Sequence, residues 1–274
     1  MTRAILIGAV FLLCGCSSRK VEPISQIKNE IQPEQKQFAS DNAVVTFVGR
    51  GYTISGQLIA PPIETLVIDP LGRKSGYDST TASIINEIPS GGYESNAAIG
   101  IDLDGDVPDS EQPPQYSEFE VTQAMSGEYK IQLFGKDAGE YELSVGGQTA
   151  DAKITLEQKY FGLTEKGRIV EFKLNFDKTP GSVSAITKTV TFPSLKDDLR
   201  LARQLGYVDN DGILNSLARK LDNAEEAKNK GNSKPAQNIL EALINEISAQ
   251  TDKHIRKTFV ESISADVAAF IKTL

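Results

Sequence analysis

The sequence predicts an α+β protein with two domains, an antiparallel β-sandwich followed by a small α-helical bundle. Two changes of pattern along the chain support this prediction. From about Ala43 to Phe192, polar and apolar residues alternate with a period of two in short runs separated by turn residues, which is typical of strands. From Ser194 to Leu274 the apolar period becomes 3.6 residues, which is typical of amphipathic helices.

The predicted β-sandwich spans residues 42–193. Its clearest runs are 129–133, 141–145 and 170–176, where every second residue is apolar. Because the runs recur roughly every ten residues without helical crossovers, an immunoglobulin-like or jelly-roll-like sandwich is expected. The first two runs each start with Gly-Glu-Tyr, and we expect them to form adjacent antiparallel strands joined through residues 135–137.

The predicted helical bundle spans residues 194–274. We expect a first helix capped by Ser194 and stopped by Gly206, and a second helix that starts its apolar face at Ile213 and ends at Gly231. Pro235 lies where a first-turn proline opens a third helix. A fourth helix places an apolar stripe inward between residues 255 and 271. The short connections make neighbouring helices antiparallel.

The first residues of the sequence predict an export signal. Arg3 precedes an apolar run of about ten residues, which is too short to span a bilayer of roughly 30 Å. The run ends in Leu13-Cys14-Gly15-Cys16, which resembles the lipobox of bacterial lipoproteins. The resemblance implies a signal peptide at residues 1–15 and acyl chains on Cys16, which anchor the protein to a membrane. Ser17 then favours the outer membrane in a Gram-negative host. A plain signal peptide cut elsewhere, or an interfacial apolar tail, remains the alternative.

Residues 16–41 are polar and predict a flexible tether between the lipidated cysteine and the folded part. Cys14 and Cys16 are the only cysteines, so no disulfide is expected in the mature chain. Charge is uneven: residues 16–193 hold 16 basic and 25 acidic residues, whereas residues 194–274 hold 12 of each. The acidic part repels nucleic acid and attracts cations or basic partners, so no nucleic-acid partner is expected.

The helical part resembles a known family, the FIMAH domain. The segments that carry the resemblance are Gly212–Ala224, Lys230-Gly231-Asn232, Ala236-Gln237-Asn238, Ala249-Gln250 and Lys253-His254-Ile255. In that family this helical module is attached to secreted bacterial hydrolases and surface proteins. Leu243 and Asp252 depart from the usual Phe and Gly, which affects packing and a turn. The resemblance implies a fold and an extracytoplasmic setting, and it transfers no catalytic residue.

One acidic segment is a candidate calcium site. Carboxylates alternate around Gly105, and oxygen ligands of this kind bind Ca²⁺ in extracellular modules. The candidate ligands are Asp102, Asp104, Asp106 and Asp109. The pattern is not an EF-hand, because Pro113 stands where the twelfth-position Glu belongs. The alternative is a solvated acidic loop. A second acidic stretch, 207–212, is explained by Asp209 or Asp211 as a helix cap.

Catalysis is not expected. The single histidine, His254, lies among basic residues in a turn, and no nucleophile-elbow motif occurs. Four tyrosines could line a sugar- or peptide-binding face, although core or edge packing explains them better: Tyr52, Tyr77, Tyr93 and Tyr116. The sequence thus predicts a lipid-anchored, non-catalytic envelope protein that binds or scaffolds a protein or carbohydrate. An accessory subunit or enzyme acting on extracellular polysaccharide is the alternative, and a calcium-stabilised structural module is a third class.

Overall fold

The structure, a computed structural model, describes residues 44–51, 63–89, 91–96, 116–149, 151 and 153–274. All of them belong to one unit, Ala39–Leu274. They form antiparallel sheets and four helices, which confirms the α+β prediction. The strands in chain order are β1 (Val44–Gly51), β2 (Ile63–Ile68), β3 (Lys74–Asp78), β4 (Ser83–Asn86), β5 (Gly91–Asn96), β6 (Tyr116–Val121), β7 (Gly127–Gly135), β8 (Gly139–Gln148), β9 (Ile154–Thr164), β10 (Ile169–Phe176) and β11 (Ala185–Lys188).

The strands form two antiparallel sheets. A five-stranded sheet has the order β5-β6-β1-β8-β9, and a six-stranded sheet has the order β11-β10-β7-β2-β3-β4. Both sheets contribute to one hydrophobic cluster, with Phe119 and Tyr141 from the first and Ile131 and Phe172 from the second. Alternate residues along β7 and β8 enter this cluster, as the period-two pattern predicts.

The predicted hairpin through residues 135–137 is wrong. Strand β7 lies in the six-stranded sheet and pairs with β2 and β10, whereas β8 lies in the other sheet and pairs with β1 and β9. The chain therefore crosses between sheets at this turn. Because both sheets face the same core, the same alternation of apolar residues suits a strand in either of them.

Two glycines allow close approaches within the sheets. Gly76 in β3 has a φ of 118°, and a Cβ there would lie 2.1 Å from the carbonyl oxygen of Thr65. Gly162 in β9 pairs with Tyr141 of β8, and a Cβ there would lie 2.3 Å from the tyrosine ring. The aromatic ring thus occupies the space that a side chain at position 162 would need.

Four helices follow the strands: α1 (Phe192–Gln204), α2 (Asp211–Asn229), α3 (Ser233–Ala249) and α4 (Lys257–Ile271). Helix α1 begins three residues earlier than expected. Its cap is Thr191, whose hydroxyl accepts from the Ser194 amide, while the Ser194 hydroxyl accepts from the Thr191 amide. The cap of α2 is Asn210, and neither Asp209 nor Asp211 fills that role.

The helices have a hydrophobic cluster of their own, and β9 joins it. Leu163 of β9 belongs to the helical cluster, and the Ser262 hydroxyl of α4 donates to the Phe161 carbonyl at 2.7 Å. Rings of Phe161 and Tyr207 lie 6.0 Å apart. Among the described residues, no helix is long and apolar enough to span a membrane.

Candidate binding cleft between strands and helices

An open cleft of about 590 Å³ lies where the strands meet helix α1. It is formed by the turn from β9 to β10, by β10, by the connection from β11 to α1, and by the first turns of α1. Its lining is mainly polar and includes Lys166, Glu171, Thr189, Ser194 and Asp197. A cleft of this size accommodates a small ligand or part of a polymer.

Four buried charged side chains, here named the junction cluster, lie at and beneath the cleft: Arg168, Lys188, Asp198 and Asp266. Arg168 precedes β10 and binds Asp198 of α1, with a nitrogen–oxygen distance of 2.7 Å. Lys188 of β11 lies 2.5 Å from Asp266 of α4 and 3.7 Å from Asp198. Their side chains are between 6% and 11% exposed. The cluster therefore connects strands to two helices in a setting where salt screens little.

Burial sets the electrostatics of the junction cluster. It raises the pKa of the Asp266 carboxyl, an effect that Lys188 opposes. Burial alone would lower the pKa of the Lys188 ammonium, but Tyr141, Asp198 and Asp266 raise it overall. Burial also raises the pKa of the Tyr141 phenol to about 12. The cluster thus combines two basic and two acidic side chains with a tyrosine whose phenol resists ionisation.

The walls of the cleft are held by further contacts. Arg200 of α1 donates to the Glu165 carboxylate through both terminal guanidinium nitrogens. Gln132 of β7 donates to the Glu171 carboxylate at 3.3 Å. Within the described part of the chain, the Lys166 side chain forms no ion pair. It is exposed, and it is thus free to meet a ligand.

Cys16 and the four candidate calcium ligands, Asp102, Asp104, Asp106 and Asp109, fall outside the described residues. The described ranges contain no group of three or more His, Cys, Asp or Glu side chains that could hold a metal ion. His254 lies in the turn before α4, and its Nδ1 is 2.8 Å from the Asp209 carboxylate.

The structure describes the side chains of two of the four tyrosines, Tyr77 and Tyr93. The Tyr93 hydroxyl donates to Glu64, and its ring packs against the shared core of the two sheets. Burial, followed by the contact with Glu64, raises the pKa of the Tyr93 phenol. The Tyr77 ring lies 5.6 Å from Phe134 and is covered by the Lys136 ammonium at 4.3 Å. Both tyrosines are half-buried, which favours edge packing over an open binding face.

Sequence reasoning missed the junction cluster, although a signal for part of it exists. Asp198 follows Leu195 at a spacing of three, and Asp266 follows Ile263 at the same spacing, so both carboxylates lie on the inner face of their helices. A charged residue at such a position indicates a buried partner. Lys188 follows the buried Ile186 by two positions in β11, so period-two alternation places it on the same face, but this signal does not identify its partners.

Comparisons of this chain with protein-family models, with curated proteins and with solved structures found no match. The resemblances to bacterial lipoproteins and to the FIMAH domain therefore stay predictions.

Proposed function

We propose that the chain is a lipid-anchored, non-catalytic protein of the bacterial cell envelope with a binding or scaffolding role. In this proposal acyl chains on Cys16 hold it to the membrane, and residues 16–41 separate the folded part from the lipid surface. The charged start, the short apolar run and the lipobox-like ending support the anchor. In a Gram-negative host the membrane is the outer one.

The proposed architecture is a β-sandwich at residues 42–193 and a FIMAH-like bundle at residues 194–274. The sandwich is supported by the single hydrophobic cluster that draws side chains from both sheets. The separate bundle is supported by the second cluster, in which helical residues predominate. The junction cluster lies between these two parts and fixes helices α1 and α4 against the strands.

The proposed ligand site is the cleft at this junction. The single observation behind this choice is that strands and helix α1 line the cleft together above a buried ion network. The network pairs Arg168 with Asp198 and Lys188 with Asp266, so it favours the one relative arrangement of strands and helices in which both pairs form. A cleft whose walls are held in this way needs little reorganisation to bind.

The lining favours a carbohydrate. Lys166 can donate hydrogen bonds, Glu171 can accept them, and the Thr189 hydroxyl can do both. Sugar hydroxyls also donate and accept, so they match this mixture. A strongly charged ligand would meet side chains of both signs, and an apolar ligand would meet few apolar side chains. The proposed ligand is therefore a neutral, hydroxyl-rich glycan of the envelope.

The test measures binding of the chain from Ser17 onward to immobilised envelope polysaccharides and to peptidoglycan. The Lys166→Ala/Glu171→Gln double variant should lose most of the binding, because it removes one donor and one carboxylate from the cleft. Lys173→Ala is the matched control, since Lys173 is an exposed residue of the same strand outside the cleft. Equal binding by the double variant and the control would contradict the proposed site.

A further inference from the structure

A buried lysine and a buried carboxyl group from distant parts of the chain lie in contact within the junction cluster. The Lys188 Nζ is 2.5 Å from Oδ2 of Asp266, and the two residues are 78 positions apart. Their side chains are 7% and 11% exposed. Positioning of two reacting groups can supply effective concentrations of roughly 10⁵–10⁸ M. Burial also limits access of the water that would reverse a condensation.

We propose that Lys188 and Asp266 condense to an intramolecular amide bond that joins strand β11 covalently to helix α4. The Lys188 Nζ attacks Cγ of Asp266, the nitrogen–carbon bond forms, and the bond from Cγ to one carboxylate oxygen breaks. Two protons of the ammonium group leave with that oxygen as one water molecule, and the amide nitrogen keeps the third hydrogen. The reaction needs no oxidant, cofactor or second reactant.

Asp198 is placed to relay a proton during this step. Its Oδ1 is held by Arg168, and its Oδ2 lies 3.7 Å from the Lys188 Nζ. This Oδ2 is buried and makes no hydrogen bond with any described residue. It can therefore take a proton from the attacking nitrogen and pass it to the leaving oxygen. In the product, the same Oδ2 is an acceptor beside the new amide N–H.

Condensation relieves the cost of burying two charged groups. Burial disfavours the charged form of both reacting groups, and it raises the pKa of Asp266. At Lys188, Tyr141, Asp198 and Asp266 together outweigh burial and raise the pKa overall, so the relay by Asp198 is needed to free the amine. Condensation removes one positive and one negative charge. Arg168 and Asp198 remain as a matched ion pair.

The test is a peptide map of the full-length chain purified in detergent, with circular dichroism to verify that it is folded. We expect a branched peptide that contains both Lys188 and Asp266 and is lighter than the two linear peptides together by one water. Lys188→Arg keeps the positive charge without a primary amine and should give linear peptides only. Lys173→Arg, at an exposed lysine of β10, is the matched control and should keep the branched peptide.

The wild-type chain alone decides whether the bond exists. Folded wild-type protein that yields only linear peptides, with free Lys188 and free Asp266, would overturn the proposal. Asp198→Asn keeps both reacting groups and should leave most of the chain unlinked, and an unchanged yield of branched peptide would refute the relay. Neither result depends on whether the cleft binds a glycan.

Discussion

Replacing Arg168 with Met tests the view that the junction cluster holds helices and strands together. The Arg168 guanidinium donates to Asp198 at 2.7 Å, to the Leu163 carbonyl at 3.1 Å and to the Ser194 carbonyl at 3.5 Å. Met keeps much of the aliphatic stem but makes none of these bonds. The substitution therefore leaves the Asp198 carboxylate buried without its hydrogen-bonded arginine partner.

The magnitude follows from the burial of the pair. Removing one partner of a buried ion pair costs about 3–5 kcal/mol. The Lys188 nitrogen remains 3.7 Å from Asp198 and, as an ammonium or as an amide N–H, compensates in part, so we expect the lower end, about 3 kcal/mol. For a chain of this size, this corresponds to a fall in Tm of roughly 6–12 °C.

The assay is urea and thermal unfolding of the chain from Ser17 onward, followed by circular dichroism. Arg200→Met is the matched control, because Arg200 also joins α1 to the β9–β10 turn, through Glu165. Its side chain is 49% exposed, and exposed pairs contribute at most about 1 kcal/mol. Equal losses of stability in the two variants would refute a special role for the buried cluster.

Three further changes and one titration test other parts of the account. Cys16→Ala should move the protein from the membrane to the soluble fraction of cells, and unchanged membrane retention would contradict the anchor. Gly162→Ala should lower the free energy of unfolding by roughly 1–3 kcal/mol, because its Cβ would clash with the Tyr141 ring. Gly146→Ala, in open space, is the control, and an equal loss there would argue against the clash. Burial raises the pKa of Tyr141 to about 12, so the free energy of unfolding should fall as pH rises above about 10, where only the unfolded phenol ionises. A flat urea-unfolding profile from about pH 10 to 11 would contradict this account of Tyr141. Addition of about 5 mM Ca²⁺ in place of EDTA should raise the free energy of unfolding by roughly 1–2 kcal/mol. This rise in stability should vanish when Asn replaces Asp102, Asp104 and Asp106, and no rise in the unaltered chain would exclude the calcium site.

The sequence predicts whether a segment is a strand or a helix better than it predicts which strands pair with each other. Tyr129, Ile131 and Leu133 alternate with exposed or half-buried residues, and the structure confirms a strand with that pattern. Alternation shows which face of a strand is buried, but it does not show which sheet the strand joins. The predicted hairpin between β7 and β8 is therefore wrong, because two sheets that share one core demand the same pattern.

The junction cluster shows why the candidate cleft could not be predicted. Its members come from a turn, a short strand and two helices, and Lys188 and Asp266 are 78 positions apart. Periodicity places Asp198 and Asp266 on inner helix faces, but only tertiary packing brings a lysine to them. The cap of α1 shows a smaller ambiguity of the same kind, since Thr191 and Ser194 each cap the other's backbone amide and both are plausible first residues.

Helix α4 also affects how copies of this protein can meet. Among the described strands, β9 is an edge of its sheet, and an open edge is a template for pairing with another chain. The Ser262 hydroxyl occupies the Phe161 carbonyl, and Leu163 is covered by helical side chains. The helices thus cover this end of the β9 edge and hinder its pairing with a strand of another copy of the chain.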